Sequence, residues 1–541
     1  MRSIQRIQKN RGNEKVTDPR ISSAWRKILG TTEAGPDDNF FASGGQSLTA
    51  AKLAVELSKE FGHTVSLRAI YDNPTLEKLS AHLTESTNSS TLQALRPGTA
   101  KGAIPLTKQQ ESAFAAHQRD PGYNLLNTPA AFMLDGEFNH SLMAAALRMV
   151  VQRHDALRTT FRQVEGTPEQ VVGLSPRLDL KIADVAEGND LAELINGEVQ
   201  RPFDPGSDLP MRVRVWKVAP NSSAVVFIFN HMCVDGWSVN IILREFCLAY
   251  AHLTLDNPLE LPPVGAQQAD FARWQSTHEE RYADQLRFWL DKWSDGFRDT
   301  VLPVDLPQSE EGRREGASIN RALSTEDTKL LVEFSHAHAV SPFSVLLAAW
   351  HIVLLGSGGP SHQFFRIATA NRALAEFENT VGWLSHGLLV QLNTKRPTDF
   401  AGIVRRSWAE LEDTSRNQDV PLESVAEHLT SRGRPTGSSV GSCTLTLQPD
   451  PLESLDVPGL RFRHLELPPV AAAKRDLSWY FFLGSSNLRA HIVYSSSSYQ
   501  KSTVEALFDD LAAVVRHGCQ DSSLPVPELA RLVQAFRVER D

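Results

Sequence analysis

The chain has 541 residues, 41% hydrophobic and 22% charged, a length that allows two to four domains and the composition of a globular protein. A net charge of −9 without a basic face argues against a nucleic-acid partner. The four cysteines, Cys233, Cys247, Cys443 and Cys519, show no CxxC spacing and read as free thiols of a reducing compartment. The N-terminus is polar and basic and fits no signal peptide. The longest apolar run, Phe343 to Leu355, is interrupted by Ser344 and His351 and falls short of the ~20 residues of a membrane span. It therefore reads as a buried core helix, and the expectation is a cytoplasmic protein with no membrane partner.

Residues 1–16 read as a disordered tail, and a first module occupies 17–85. Asp18 is placed to cap a helix through Ile21, Trp25 and Ile28 that stops at Gly30. The segment DDNFFASGGQSL, Asp37 to Leu48, follows, with a tight turn at Gly44 and Gly45. Ser47 then stands where a helix with the stripe Leu53, Leu57, Phe61 begins, and a last helix starts at Thr75. A serine at this place reads either as an N-cap or as a hydroxyl presented beside a helix N-terminus, whose partial positive charge suits a phosphodiester. A nucleophile elbow is rejected, because residue 49 is Thr where that motif needs Gly and no strand precedes the turn.

DNFFASGGQSL, the Phe40–Phe41 pair and the DNPT segment resemble the phosphopantetheine attachment motif of peptidyl carrier domains of nonribosomal peptide synthetases. The resemblance implies a small four-helix carrier bundle whose Ser47 bears a covalent 4′-phosphopantetheine. It also implies a phosphopantetheinyl transferase as partner. Gln46 stands where the family often has His or Asp.

Residues 86–103, rich in Ser, Thr, Gly and Ala, read as a flexible linker. The large module takes the rest and divides into two halves, 104–280 and 281–541. Helix and strand patterns alternate in it: IPLTKQQESAF, a helix near His140 to Val151, RHDALRTTF (Arg153 to Phe161), then strands MRVRVWKV and SAVVFIFN. The last strand delivers His231, after Asn230, to a short turn with Asp235 and Gly236. A helix follows, with apolar Val239, Ile242, Phe246 and Tyr250 at helical spacing. Such an arrangement sets an imidazole beside outward-facing backbone N–H groups. As an isolated residue, His231 would read first as a core histidine. Zinc is not expected: HxxxD gives two ligands and no His or Cys cluster adjoins it.

RHDALRTTF, NHMCVDGWS, ATANR (Ala368 to Arg372) and NQDVPLE (Asn417 to Glu423) resemble, in order, motifs of condensation domains of nonribosomal peptide synthetases. The fold implied is α/β, two chloramphenicol-acetyltransferase-like lobes in a V with the active site at the seam. The resemblance gives His231 the catalytic role and pairs Asp235 with Arg372 structurally. Asn230 takes the place of the family's first histidine, a structural position. Gly236 N–H is placed to steady an oxyanion. Ser112 occupies an arginine position, and His386-Gly387 stand where Asn-Thr is common. The function implied is acyl or peptidyl transfer from a phosphopantetheine thioester to an amine, giving an amide.

No adenylation, reductase or thioesterase pattern is present, so a trans-acting adenylation or acyl-loading enzyme is expected. The domain order resembles a pair in which Ser47 holds the donor. The acceptor is then an aminoacyl group on another carrier, or a soluble amine or alcohol. Two further readings stand beside amide formation: an ester-forming or chain-releasing transfer to a soluble nucleophile, and a non-catalytic docking module that recruits other enzymes to a carrier-bound peptide.

Overall fold

A computed structural model describes residues 17–85 apart from 42, 44, 46, 62–64, 66–68 and 71–72. It also describes residues 103–540 apart from 123, 187–189, 256–257, 278–281, 299, 307–314, 373, 395–397, 437–441, 468–472 and 485–486. The expected tail, nearly all of the expected linker, Gly44 and Gln46 lie outside the described residues. The chain divides into two compact units, residues 1–94 with two short segments, and a larger unit that holds most of the remainder.

In the first unit, helix Pro19–Leu29 is capped by Asp18, whose carboxylate accepts from Arg20 N–H, and ends at Gly30 in the left-handed region (φ 67°). Helices Ser47–Phe61 and Leu76–Glu85 complete the described part. Their core is Trp25, Phe40, Phe41, Leu53, Leu57, Leu76 and Leu79, all buried. The Phe40 ring stands edge-on to both Trp25 and Phe41, with centroids 5.0 and 5.3 Å apart. Gly45 N–H donates to Phe40 O at 2.9 Å, closing the turn before the second helix.

The larger unit is α/β. In chain order its first strands are β1 Ile104–Pro105, β2 Asn127–Asp135, β3 Thr159–Val164, β4 Thr167–Val172, β5 Asp179–Asp184, β6 Met211–Ala219 and β7 Ser222–Asn230. Then come β8 Gly316–Ala322, β9 His362–Thr369, β10 His386–Asn393, β11 Cys443–Pro449, β12 Arg461–His464, β13 Leu477–Leu483 and β14 Leu488–Ser495. They form a five-stranded sheet β12-β2-β7-β6-β5, a six-stranded sheet β10-β9-β11-β13-β14-β8, and a small sheet β1-β4-β3.

Strand β7 shows why an unbroken apolar run makes a central strand. Val225, Phe227 and Phe229 pack with helices His140–Arg153 and Gly236–Leu255. Ala224, Val226 and Ile228 pack with helix Leu191–Gln200. Both faces are covered, so neither alternates with polar residues. Helix Pro342–Gly356 is the core helix expected of the long apolar run, with Val345 to Ala349 fully buried. No single helix among the described residues is long and apolar enough to cross a membrane.

The expected division at 280/281 has one crossing that the sequence pattern does not announce. Strand β12, from the C-terminal part, pairs antiparallel with β2 of the N-terminal part, Phe462 opposite Leu134. Arg463 adds an ion pair to Asp135.

Gly45 tests the first unit. A Cβ there would lie 2.4 Å from the Phe40 ring and 2.5 Å from Phe40 O. Gly45→Ala must shift the turn, and overpacking of this kind costs about 1–3 kcal/mol. The expected result is faster amide hydrogen exchange across helix Ser47–Phe61, with protection of the larger unit unchanged.

Candidate functional site

The site grows from the end of β7. Asn230 is its last residue and is buried; its Oδ1 accepts from Met232 N–H at 3.0 Å, and its own N–H donates to Pro210 O at 2.8 Å. The side chain thus shapes the turn that carries the next residue. Gln110, in a capping box with Thr107, braces the same turn by donating to Met232 O at 2.7 Å.

His231 N–H donates to Leu126 O at 2.8 Å, which fixes the backbone beneath the imidazole. The ring packs on Trp383, with centroids 4.5 Å apart and planes at 30°. It is half-buried, and its Nδ1 is buried without a hydrogen bond among the described residues. Burial, and secondly the Lys474 ammonium, hold its pKa well below the ordinary value; Asp235 opposes them. Lys474 keeps open surface although protein crowds it, and that crowding brings its own pKa down to about 8. The imidazole is therefore neutral near pH 7, able to accept a proton.

Asp235 is fully buried and fully engaged. Arg372 forks onto it, Nη1 to Oδ2 at 2.9 Å and Nη2 to Oδ1 at 3.1 Å. Oδ1 also accepts from Ser238 N–H (2.9 Å) and Oγ–H (2.7 Å), the N-cap bond of helix Gly236–Leu255. Oδ2 accepts from Leu384 and Ser385 N–H at 3.1 and 3.0 Å. Burial pushes this carboxyl up, but Arg372 and the Ser238 hydrogen bonds outweigh it, and the net shift is downward. Arg372 also donates to Thr380 O at 3.0 Å and Ala370 O at 2.8 Å. The helix that opens at Gly236 and the segment that carries Trp383 are thereby locked together.

Ser238 N–H and Val239 N–H are taken up by Asp235, at 2.9 and 3.0 Å. The N–H groups of Gly236 and Trp237, at the very start of the helix, precede any intrahelical acceptor. The side chains expected at the site thus fall on one turn and its clamp: His231 and Gly236 flank the Asp235–Arg372 pair, and Asn230 supports the turn from below. Ser47 opens a helix of the other unit, where first-turn N–H groups and the helix dipole provide the setting a phosphodiester takes. Among the described residues, no three His, Cys, Asp or Glu are grouped to hold a metal ion.

Three contributors have no label in the sequence. Trp383 stacks on His231, and its only signal is its place in VGWLSHGLL. Lys474 sets the field at the imidazole from a remote segment. Glu245, two helical turns past Gly236, receives His154 at 2.9 Å and Arg153 at 3.0 Å, all from buried or half-buried positions. The charged half of RHDALRTTF is therefore an anchor for the helix rather than part of its open end. Ser112 is exposed on helix Lys108–Arg119; His386 is buried at the start of β10, where burial lowers its pKa.

Comparison with known proteins accords with this geometry. A model of the condensation domain matches residues 100–537, and one of the phosphopantetheine attachment site matches residues 19–83. The chain belongs to the condensation domain family and carries a phosphopantetheine carrier domain ahead of it. Together they make a carrier–condensation unit of the nonribosomal peptide synthetase type, with covalent 4′-phosphopantetheine as the cofactor of its carrier domain. One component of the linear gramicidin synthase of Brevibacillus parabrevis is 28% identical over 97% of this chain and 10% of its own length. Nonribosomal peptide synthetase kk1B of Curvularia clavata is 27% identical over 94% of this chain and 4% of its own. The chain thus spans a tenth or less of these relatives. The first condensation domain of the calcium-dependent antibiotic synthetase shares the fold, with TM-score 0.67, 18% identity, and coverage of 79% of this chain and 99% of that one.

Arg372→Ala leaves the Asp235 charge buried with its main partner gone. Breaking such a pair from one side costs about 3–5 kcal/mol, read as a lower denaturation midpoint. The pair has a pH signature too. Asp235 has a depressed pKa when folded, so its stabilisation is present above the unfolded value of about 3.9 and lost as pH falls through the folded value. Wild type should lose more stability on acidification below about pH 4 than Arg372→Ala does.

Proposed function

We propose that this chain transfers an acyl or peptidyl group from the phosphopantetheine thioester on Ser47 to an amine, with His231 as the proton acceptor. The observation that carries the reading is the state of the imidazole. It is half-buried and neutral, and it is free of Asp235, whose two oxygens are committed to Arg372, Ser238 and two backbone N–H groups.

When attached, the arm supplies the electrophile, a thioester carbonyl at the end of a long tether. The residues of the chain do the rest. His231 accepts the proton of the nucleophile as its nitrogen bonds to the carbonyl carbon, and returns that proton to the departing sulfur. Gly236 N–H, aligned with the helix dipole, donates to the carbonyl oxygen as that atom gains charge. Trp383 holds the imidazole plane, and the Arg372–Asp235 clamp holds the helix start. Asn230 serves the backbone turn and needs no chemical role. A carrier-borne aminoacyl group and a soluble amine both satisfy this arrangement as acceptors. Loading requires a phosphopantetheinyl transferase and an acyl-loading enzyme acting on Ser47.

The test is intact-protein mass after Ser47 is converted to its acyl-phosphopantetheine form, with a panel of amines, alcohols and aminoacyl carriers as acceptors. Ser47→Ala should gain no mass at all. His231→Ala should load normally and then lose acyl transfer by about 10²-fold or more. Transfer by His231→Ala at the wild-type rate would end this reading, and transfer to alcohols alone would make the product an ester. Because burial keeps the imidazole neutral, the transfer rate should show no ionisation belonging to His231 between about pH 6 and 8.

A further inference from the structure

The helix start at Gly236 has a neighbour from the other sheet. The carboxamide of Gln448, next to last in β11, lies against the glycine: its Nε2 and Oε1 stand 3.1 and 3.2 Å from where a Cβ on Gly236 would be. Strand β11 is interior to its sheet: Thr444 and Leu445 pair in parallel with β9, and the whole strand pairs in parallel with β13, Gln448 opposite Phe482. Leu445 on this strand points into the core, fully buried, and Gln448 and Thr446 lie on the opposite face. Arg489, opposite Phe482 in the same row of the sheet, is committed to Asp450, Nε to Oδ2 at 3.1 Å, and lies over the Phe482 ring. Gln448, Gly236 and His231 are all half-buried.

A half-buried carboxamide pressed on the N-terminus of a helix adds a polar –NH2 to the backbone N–H already there. We propose that Gln448 is a catalytic residue of this site, its Nε2–H donating beside Gly236 N–H to the thioester carbonyl oxygen. The inference rests on the acyl-transfer reading above and extends it. The amine nitrogen forms the C–N bond, and the C=O π pair moves onto oxygen, where Gly236 and Gln448 both donate. His231 takes the N–H proton; the oxygen pair then reforms C=O, the C–S bond breaks, and the sulfur takes that proton from His231. The two donors belong to the two large sheets, so the pocket for the oxygen exists only when these sheets are correctly apposed. This also accounts for glycine at 236, since any Cβ there would press on the Gln448 amide.

Two variants, Gln448→Met and Gln448→Glu, keep the length of the side chain and remove the amide donor. The full chain is loaded on Ser47 with an acyl group carrying 13C at its carbonyl, and the thioester band is followed by infrared difference spectroscopy with no nucleophile present. In wild type the band is expected at lower wavenumber than in the unfolded loaded chain, and in both variants it should move back towards that free position. Saturating nucleophile is then added. Turnover should fall about 10²- to 10³-fold in each variant, with KM for the nucleophile and the melting temperature unchanged. An unshifted turnover number, a loss confined to KM, or a carbonyl band the same in wild type and both variants would overturn the inference. If wild type transfers to nothing yet its band is shifted and the variants lose that shift, the donor assignment stands and the acyl-transfer reading alone fails.

Discussion

A fully buried carboxylate governs the centre of the larger unit. Asp235 would be prohibitively costly to bury alone, and the protein meets that cost by surrounding it with a forked arginine, a serine and two backbone N–H groups. The partners come from three pieces of chain, the first turn of helix Gly236–Leu255, the segment after β9 and the segment before β10, and Asp235 itself follows the end of β7. Satisfying one charge therefore fixes four segments relative to one another. His231 and Trp383 sit on two of those segments, and their stacking follows from the clamp rather than from any attraction strong enough to arrange them.

The same clamp decides the chemistry available to the imidazole. A histidine four residues from an aspartate invites the idea of a dyad, in which the carboxylate raises the basicity of the ring. Here the carboxylate is saturated elsewhere, and burial with the Lys474 ammonium keeps the ring neutral. A neutral base of low intrinsic basicity suits a reaction in which the proton moves late, from a nitrogen already bonding to carbon. In the proposed reaction, stabilisation of charge on oxygen falls to the N-terminus of an apolar helix anchored by Glu245 and to the Gln448 amide of an interior strand of the six-stranded sheet.

The carrier unit follows a different logic. Its core is small and aromatic, and the turn before Ser47 is held by a backbone contact between Gly45 and Phe40 that leaves no room for a side chain. Ser47 opens the helix that follows, and reach is left to the arm attached there. In the proposed reaction the base is built into the larger unit, and delivery of substrate falls to the small one.

Much of this was legible in one dimension. Local rules placed the Asp18 cap, the Gly30 stop, the strand ending in His231 and the helix from Gly236, because capping, handedness and hydrophobic period depend on neighbours in sequence. Motif order led to Ser47, His231, Asp235 and Arg372. The tertiary structure alone decided what long-range contacts decide. These are the stacking of Trp383 on His231, the field of Lys474, the role of Glu245 under His154, the strand β12 that crosses to the other sheet, and the approach of Gln448 to Gly236. None of these has a periodic or compositional signal. Each arises where segments far apart in sequence meet, and that meeting is set by sheet register and by the need to pair a buried charge.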